Sequence, residues 1–500
     1  MRQYSETARL FPQTDYPKFV DKGSNDVLQD AHYAAVEATF HKSYSQFQTT
    51  QRLDEMRATE YARLDRLKHV YLDYTGGGLY AESQVRLHTD LLLNNVFGNP
   101  HSTNPTSLAM THLIEQTRLA VLEFFNASPD EYVVIFTMNA SGALKLVGES
   151  YPFGAGDQYV LTFDNHNSVN GIREFARAHG AHVAYAPMLP PPMRIDETRL
   201  MALLERAEPG KNNLFAYPAQ SNFSGAQHSL DWIATAHARG WDVLLDGAAF
   251  APTNRLDLSR WRPDFVPISF YKMFGYPTGV GCLLARRRTL AKLHRPWFAG
   301  GTITVASVQG DRYYFQPGAE AFEDGTLNYL ILPAVQIGLA HLAKIGLETI
   351  HTRVQCLTGW LLETLQQIKH RNGNPVVRIY GPLDTANRGG TITLNLYDSN
   401  GHFIDHRLVE ERANQVNISL RTGCFCNPGS GELALGIEST ELQACFADKT
   451  QMTLDDFRRC IDDKSTGAVR ISVGLVTNFQ DVYQLVEFVR HFADKSLNEL

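Results

Sequence analysis

The chain has 500 residues, with 44% hydrophobic and 20% charged, a composition that excludes a disordered protein and predicts two or three domains. A formal net charge of −7 argues against a basic nucleic-acid footprint. No run approaches the roughly 18 apolar residues that span a bilayer, so no membrane partner is expected. The opening "MRQYSETARLFPQTDYPKF" lacks the continuous apolar segment of a secretory signal. Six cysteines are thinly spread, so no disulfide framework is expected and a reducing, cytoplasmic setting is predicted.

Residues 1–66 are polar, and "SYSQFQTTQRLDEMRATEYARLDRL" has mixed helical spacing that predicts an N-terminal helical extension. "HVYLDY" (69–74) reads as a short strand ending in the turn "TGGG". Helices and strands then alternate. "SLAMTHLIEQTRLAVLEFF" is an amphipathic helix, "YVVIFT" a strand, "SGALKLVGESY" a helix, "QYVLTF" a strand, "SVNGIREFARAHG" a helix and "HVAYAP" a strand. After the proline-rich loop "MLPPPM" come "NLFAYPA", the helix "SLDWIATAHARG", then "DVLLD", "FVPISF" and "GVGCLLA". Such alternation predicts a mostly parallel sheet covered on both faces, over 67–335. From 336 to 500 the pattern becomes α+β: long helices, then "VRIYG", "GTITLNLY", the helix "DHRLVEERANQV", "ISLRTGCFCNPG", "AVRISVGLV" and a last amphipathic helix.

In parallel sheets, ligands bind at the carboxyl ends of the strands, and each predicted strand end carries polar groups. After "VVIFT", Asn139, Ala140 and Ser141 open a helix whose free N–H groups favour an anion such as phosphate, or are simply capped. After "LTF" stands His166; after "FAYPA" stand Gln220, Ser221, Asn222 and Ser224. "VLLDGAAF" ends a buried strand on Asp246, a carboxylate that needs a partner there. After "ISF" comes Lys272, inside "SFYKMFGYP". It is either a surface lysine snorkelling past its aromatic neighbours or a desolvated amine reactive toward aldehydes. An anion cradle, a histidine, a strand-end aspartate and such a lysine together match pyridoxal phosphate: phosphate, ring, protonated ring nitrogen and aldehyde.

These stretches, with "YLDYTGGG", "GNPHS", "FAGGT", "FEDGT" and "LRTGCFCNPG" collinear over about 69–474, resemble fold-type I, class V aminotransferase-related enzymes. The resemblance is strongest to the cysteine-desulfurase-like domain of molybdenum cofactor sulfurases. It implies a large domain with a mostly parallel seven-stranded sheet, a smaller α+β domain, and pyridoxal 5'-phosphate as cofactor. Carried over, Lys272 is the Schiff-base lysine, Asp246 partners the pyridine nitrogen, His166 stacks on the ring and Asn222 meets the ring hydroxyl. Ala140, Ser141, Ser269 and Tyr271 hold the phosphate. Thr302 reaches the phosphate of a neighbouring subunit, which implies a homodimer. Two positions depart from many desulfurases: Ala249 stands where they place glutamine, and Tyr271 where they often place histidine.

The reaction is decided at "LRTGCFCNPG" (420–429). Arg421 precedes Cys424 and Cys426 in a polar loop where a thiolate is favoured; structural cysteines are the bland alternative. A metal site is not expected, because no second Cys-x-x-Cys or histidine cluster accompanies the pair. In the resembling desulfurases the persulfide cysteine lies five residues after this arginine, which makes Cys426 the candidate and Cys424 its rival. Arg470 in "GAVRISVGL" matches the arginine that grips the substrate carboxylate. The implied reaction takes sulfur from L-cysteine, releases alanine and hands the persulfide sulfur to an acceptor, molybdenum cofactor or a carrier protein. A C–S lyase, aminotransferase or epimerase of secondary metabolism is the alternative, in which Cys426 would be dispensable.

Overall fold

A computed structural model describes residues 26–447, 451–453, 456, 460 and 467–500. The apolar runs of the first half become strands β2 (Tyr132–Thr137), β3 (Gln158–Thr162), β4 (His182–Ala186), β7 (Asn213–Pro218), β8 (Trp241–Asp246), β9 (Phe265–Ser269) and β10 (Gly281–Arg286). They form a seven-stranded sheet in the order β2-β10-β9-β8-β7-β3-β4. Strand β10 is antiparallel to both neighbours, and the other pairings are parallel. Alternate residues feed two separate cores: Val134 and Phe136 of β2 face one, Val133 and Ile135 the other. Burial on both faces is what makes these strands read as continuous apolar runs. All parallel strands point their carboxyl ends to one edge, which gathers the loops singled out above.

The second half builds a four-stranded antiparallel sheet, β13 (Val377–Tyr380), β14 (Thr391–Leu396), β17 (Ala468–Ser472) and β16 (Arg421–Gly423), in that order. The short β1 (Val70–Tyr71) pairs in parallel with β15 (Ile418–Ser419) as a separate two-stranded sheet, and a single bridge from Asp73 to Ser472 joins the same segment to β17. The helix Arg52–Glu60 is tied in the same direction, since the buried Arg57 binds Asp481 of the terminal helix at 2.5 Å. Of the expected N-terminal extension, residues 1–25 lie outside the described residues. From Asp26 it is helical: Asp26–Ser43, a 3₁₀ turn, Arg52–Glu60 and Arg63–Arg66.

Several local features differ from the sequence expectation. "SVNGIREFARAHG" is two helices, Asn167–Asn170 and Ile172–Ala178, joined at Gly171. The proline-rich loop contains a two-rung hairpin, β5 (Met188–Leu189) with β6 (Arg194–Ile195). A further hairpin, β11 (Ile303–Ser307) with β12 (Arg312–Phe315), was not expected; its side chains are mostly exposed, so it lacks the burial pattern that marks a strand. Cys445 and Cys460 form a disulfide, their Cα atoms 5.6 Å apart across a separation of 15 residues. Sparse cysteines in sequence carry no information on such proximity, so the expectation that no disulfide framework forms did not foresee this one pair.

Among the described residues no helix is long and apolar enough to cross a membrane. Nor does any group of three or more His, Cys, Asp or Glu there have the arrangement of a metal site.

Candidate active site

The strand-end loops converge on a cavity of about 130 Å³, lined by Ala140, Ser141, His166, Asn222, Asp246, Ser269, Tyr271 and Lys272, with Asn139, Gln220 and Ala249 among their neighbours. Lys272 lies on the single helical turn Phe270–Phe274 that follows β9. It keeps some solvent exposure through the cavity, yet protein surrounds its amine. Burial pushes the amine below the ordinary lysine value, the Asp246 carboxylate pulls it up, and Arg470 pushes it down again. Lys272 is therefore not a snorkelling surface residue.

Asp246 ends β8, and its carboxylate accepts from the Ala248 N–H at 3.0 Å. His166 caps the helix Asn167–Asn170, its Nδ1 accepting from the Ser168 N–H at 3.1 Å. Burial lowers its pKa, with Asp246 opposing, so the ring is neutral at pH 7. The accepted hydrogen bond fixes the tautomer with the proton on Nε2.

The anion cradle is the N-terminus of the helix Ala140–Ser150, whose cap is Asn139 accepting from the Gly142 N–H at 2.9 Å. The Ala140 N–H donates to Ser269 Oγ at 2.9 Å, joining this helix start to the end of β9. Ser141 Oγ lies 2.6 Å from Ser168 Oγ. Gly281 permits this approach: a Cβ there would sit 2.5 Å from the Ile268 carbonyl and 2.6 Å from Asn139 Cα. The capping reading of Asn139 is thus seen directly, and Asn139, Ala140 and Ser141 of this helix start also line the cavity.

The smaller sheet supplies the arginines. Arg470 (β17) and Arg421 (β16) are register partners on adjacent strands, and both grip Asp73. Arg470 Nη2 donates to Asp73 at 3.0 Å; Arg421 donates through Nε and Nη2 at 2.9 and 2.6 Å. Arg470 is 3% exposed, with Nη1 donating to the Asn222 carbonyl and its guanidinium 4.7 Å from the Phe425 ring centre. Its buried Nε has no hydrogen-bond partner. Asp73 was not singled out from the sequence, because nothing in "YLDY" shows that two arginines some 350 and 400 residues later enclose it. The glycine turn behind it is a usable clue in retrospect: a Cβ on Gly76 would lie 2.4 Å from the Asp73 carboxylate.

Cys424 and Cys426 are both free and exposed, on the loop between β16 and the helix Pro428–Leu435. Arg421, expected beside a thiolate, is instead committed to Asp73. Asn222 turns out to hold the cysteine loop, its Nδ2 donating to the Phe425 carbonyl at 2.8 Å. Burial raises the Tyr271 phenol above its ordinary value, so it remains protonated and able to donate. Thr302 is buried away from the cavity lining, its hydroxyl bonded to Ala299.

In chemical terms the cavity offers a helix N-terminus for a phosphate, an amine for an aldehyde, a carboxylate for a protonated ring nitrogen and a neutral imidazole for a ring face. Residues 70–485 match the family model described as aminotransferase class-V. The chain belongs to the aminotransferase class-V family. It is 36% identical over 490 residues to a molybdenum cofactor sulfurase of Solanum lycopersicum, which covers 92% of this chain and 59% of that protein. It is 38% identical over 459 residues to the molybdenum cofactor sulfurase of Bos taurus, covering 87% and 51% respectively. The chain thus spans only about half to three-fifths of the length of these curated relatives. Among solved structures, an apo cysteine desulfurase from Thermococcus onnurineus NA1 superposes with a TM-score of 0.71 at 22% identity, covering 87% of this chain and 97% of that one. That likeness establishes the shared class V α/β fold.

Proposed function

We propose that this class V chain is a pyridoxal-phosphate-dependent cysteine desulfurase, moving the sulfur of L-cysteine onto Cys426 with release of alanine. The observation that carries this reading is the convergence of Lys272, Asp246 and His166 on one cavity, with Arg470 and the exposed Cys426 loop arriving from the other sheet. When bound, the cofactor supplies an electron sink for the pair released at the substrate's Cα. Ala140, Ser141, Ser269 and Tyr271 hold its phosphate, Asp246 keeps its ring nitrogen protonated, His166 covers a ring face and Asn222 meets the ring hydroxyl. The unit 67–335 carries these groups, and the unit 336–500 presents the substrate-binding and sulfur-accepting ones.

Arg470 binds the substrate carboxylate through its unpartnered Nε, with Arg421 beside it. Lys272, whose amine lies in the cavity, would take up the proton from the substrate's Cα. The Cys426 thiolate attacks the substrate sulfur: an S–S bond forms, the Cβ–S bond breaks, and its electron pair passes to the carbon skeleton, which leaves as alanine after protonation. Cys426 is left as a persulfide, and its outer sulfur passes to an acceptor; the names of the relatives make molybdenum cofactor the first choice. A cytoplasmic setting suits a persulfide, which oxidants destroy.

The functional unit is a homodimer; Thr302, buried with its hydroxyl turned inward onto Ala299, is not the group that reaches the partner's phosphate. Exposed Leu93, Val96, Met138, Trp297, Phe298 and Tyr314 supply apolar surface for the dimer. Alanine and sulfide released from L-cysteine, measured in the parent, Lys272→Ala, Cys426→Ser and Cys424→Ser, test the reading. Activity lost in the first two variants and kept in the third supports it. Cys426→Ser turning over at the parent rate points instead to a C–S lyase or aminotransferase.

A further inference from the structure

The loop bearing the two free cysteines is held in a conformation that side chains disfavour. Phe425 and Cys426 both have φ of 55°, consecutive left-handed residues that persist only where surrounding structure imposes them. The imposing groups are few. Asn222 Nδ2 donates to the Phe425 carbonyl at 2.8 Å, and the Asn167 N–H donates to the Cys426 carbonyl at 2.7 Å. The Asn427 N–H closes the turn on the Cys424 carbonyl at 3.0 Å.

Asn427 is fully buried, and its side chain faces two ways. Its Oδ1 accepts from the Ser430 N–H at 3.2 Å, an ordinary N-cap of the helix Pro428–Leu435. Its Nδ2 does something a cap does not require: it donates to the Asp164 carbonyl at 2.7 Å and to Asn222 Oδ1 at 2.9 Å. Asp164 is itself anchored, its carboxylate bound to His228 Nε2 at 2.8 Å with both groups buried. Asn427 therefore ties the cysteine loop to the loop carrying His166, and it orients the Asn222 amide. That amide lines the cavity while also holding Phe425.

We propose that Asn427 is a positioning residue that, through Asn222, couples occupancy of the cofactor cavity to the placement of Cys426. The consequence for turnover rests on Cys426 being the sulfur acceptor; the coupling itself rests on the hydrogen-bond geometry alone. Any ring group that engages Asn222 from the cavity stiffens the amide that fixes Phe425, and the adjacent thiol is fixed with it.

The test uses the full chain with and without pyridoxal 5'-phosphate, in the parent, Asn427→Ser and Asn427→Asp. Both variants keep an oxygen that can cap the helix and lose the amide donors. Alkylation of Cys426 by iodoacetamide is followed by tandem mass spectrometry, which separates it from Cys424. The coupling predicts that the cofactor slows Cys426 alkylation several-fold in the parent. In both variants the thiol reacts about tenfold faster and ignores the cofactor. With L-cysteine, kcat for alanine release falls by about 10²-fold while KM and the visible absorbance stay near the parent's, as expected of a misplaced reacting group.

Parent-like alkylation with retained cofactor dependence in both variants overturns the proposal and leaves Asn427 a helix cap. Loss of thermal stability and cofactor absorbance in both overturns it too, since the donors would then be holding the fold instead of the thiol. A parent that releases no alanine sinks the functional reading and leaves the alkylation result to decide the coupling.

Discussion

At the residue scale, Lys272 and Arg470 carry the clearest consequences. Burial lowers the Lys272 amine and Asp246 raises it, so the neutral, aldehyde-reactive form persists at lower pH than for an ordinary lysine. Capture of pyridoxal phosphate by the cofactor-free chain is expected to reach half its maximal rate below the usual lysine value of 10.5. Asp246→Asn, which removes the opposing charge, moves that midpoint further down; a midpoint at or above 10.5 contradicts the burial argument. Arg470→Lys loses the unpartnered Nε–H that the proposed function assigns to the substrate carboxylate, worth about 2 kcal/mol for a charged hydrogen bond. Steady-state kinetics should show KM for L-cysteine raised roughly 30-fold with cofactor absorbance kept. The cavity residues were legible because strand ends in a parallel sheet share an edge, so a polar residue after each apolar run is automatically a neighbour of the others. Asp73 and Asn427 were not legible. Their roles depend on partners hundreds of residues away, and each has a bland local reading, a strand residue and a helix cap.

At the element scale, the site is a set of helix starts and strand ends pressed close together, and glycine sets the spacing. Gly281→Ala forces a Cβ to within 2.5 Å of the Ile268 carbonyl and 2.6 Å of Asn139 Cα, backbone atoms that cannot rotate away. The expected cost is about 3 kcal/mol, the upper end for overpacking, read as a lowered urea midpoint. Weaker binding of pyridoxal phosphate should accompany it, because Asn139 caps the cradle helix. Strands such as "YVVIFT" and the run ending at Asp246 declared themselves through length and β-branched content, and the structure forms them at nearly the expected bounds. The hairpin of β11 and β12 did not, since a strand pair outside the core has no burial period to read. The break at Gly171 was hidden because the buried Val169, Ile172 and Ala176 keep helical spacing across it.

Across the whole molecule, the chain folds back on itself in a way no local pattern announces. β1 pairs with β15, Arg57 ties the helical N-terminal region to the helix Phe479–Arg490, and Arg353 ties it to the helix Leu347–Gln367. Arg57→Ala leaves the buried Asp481 without its cation, an uncompensated charge worth about 3–5 kcal/mol, and thermal unfolding should register the loss. This stitching is also what lets Asp73, just after β1, reach Arg421 and Arg470, so the same fold-back that stabilises the chain assembles the proposed substrate pocket. The proposed function has Cys426 accept sulfur from L-cysteine in that pocket. Tandem mass spectrometry of the cofactor-loaded chain after a limiting addition of L-cysteine, with alanine measured alongside, decides it. One sulfur atom should be gained on Cys426 for each alanine released, and none gained in Lys272→Ala. Alanine release undiminished in Cys426→Ser, or sulfur found elsewhere with Cys426 unmodified, would contradict it.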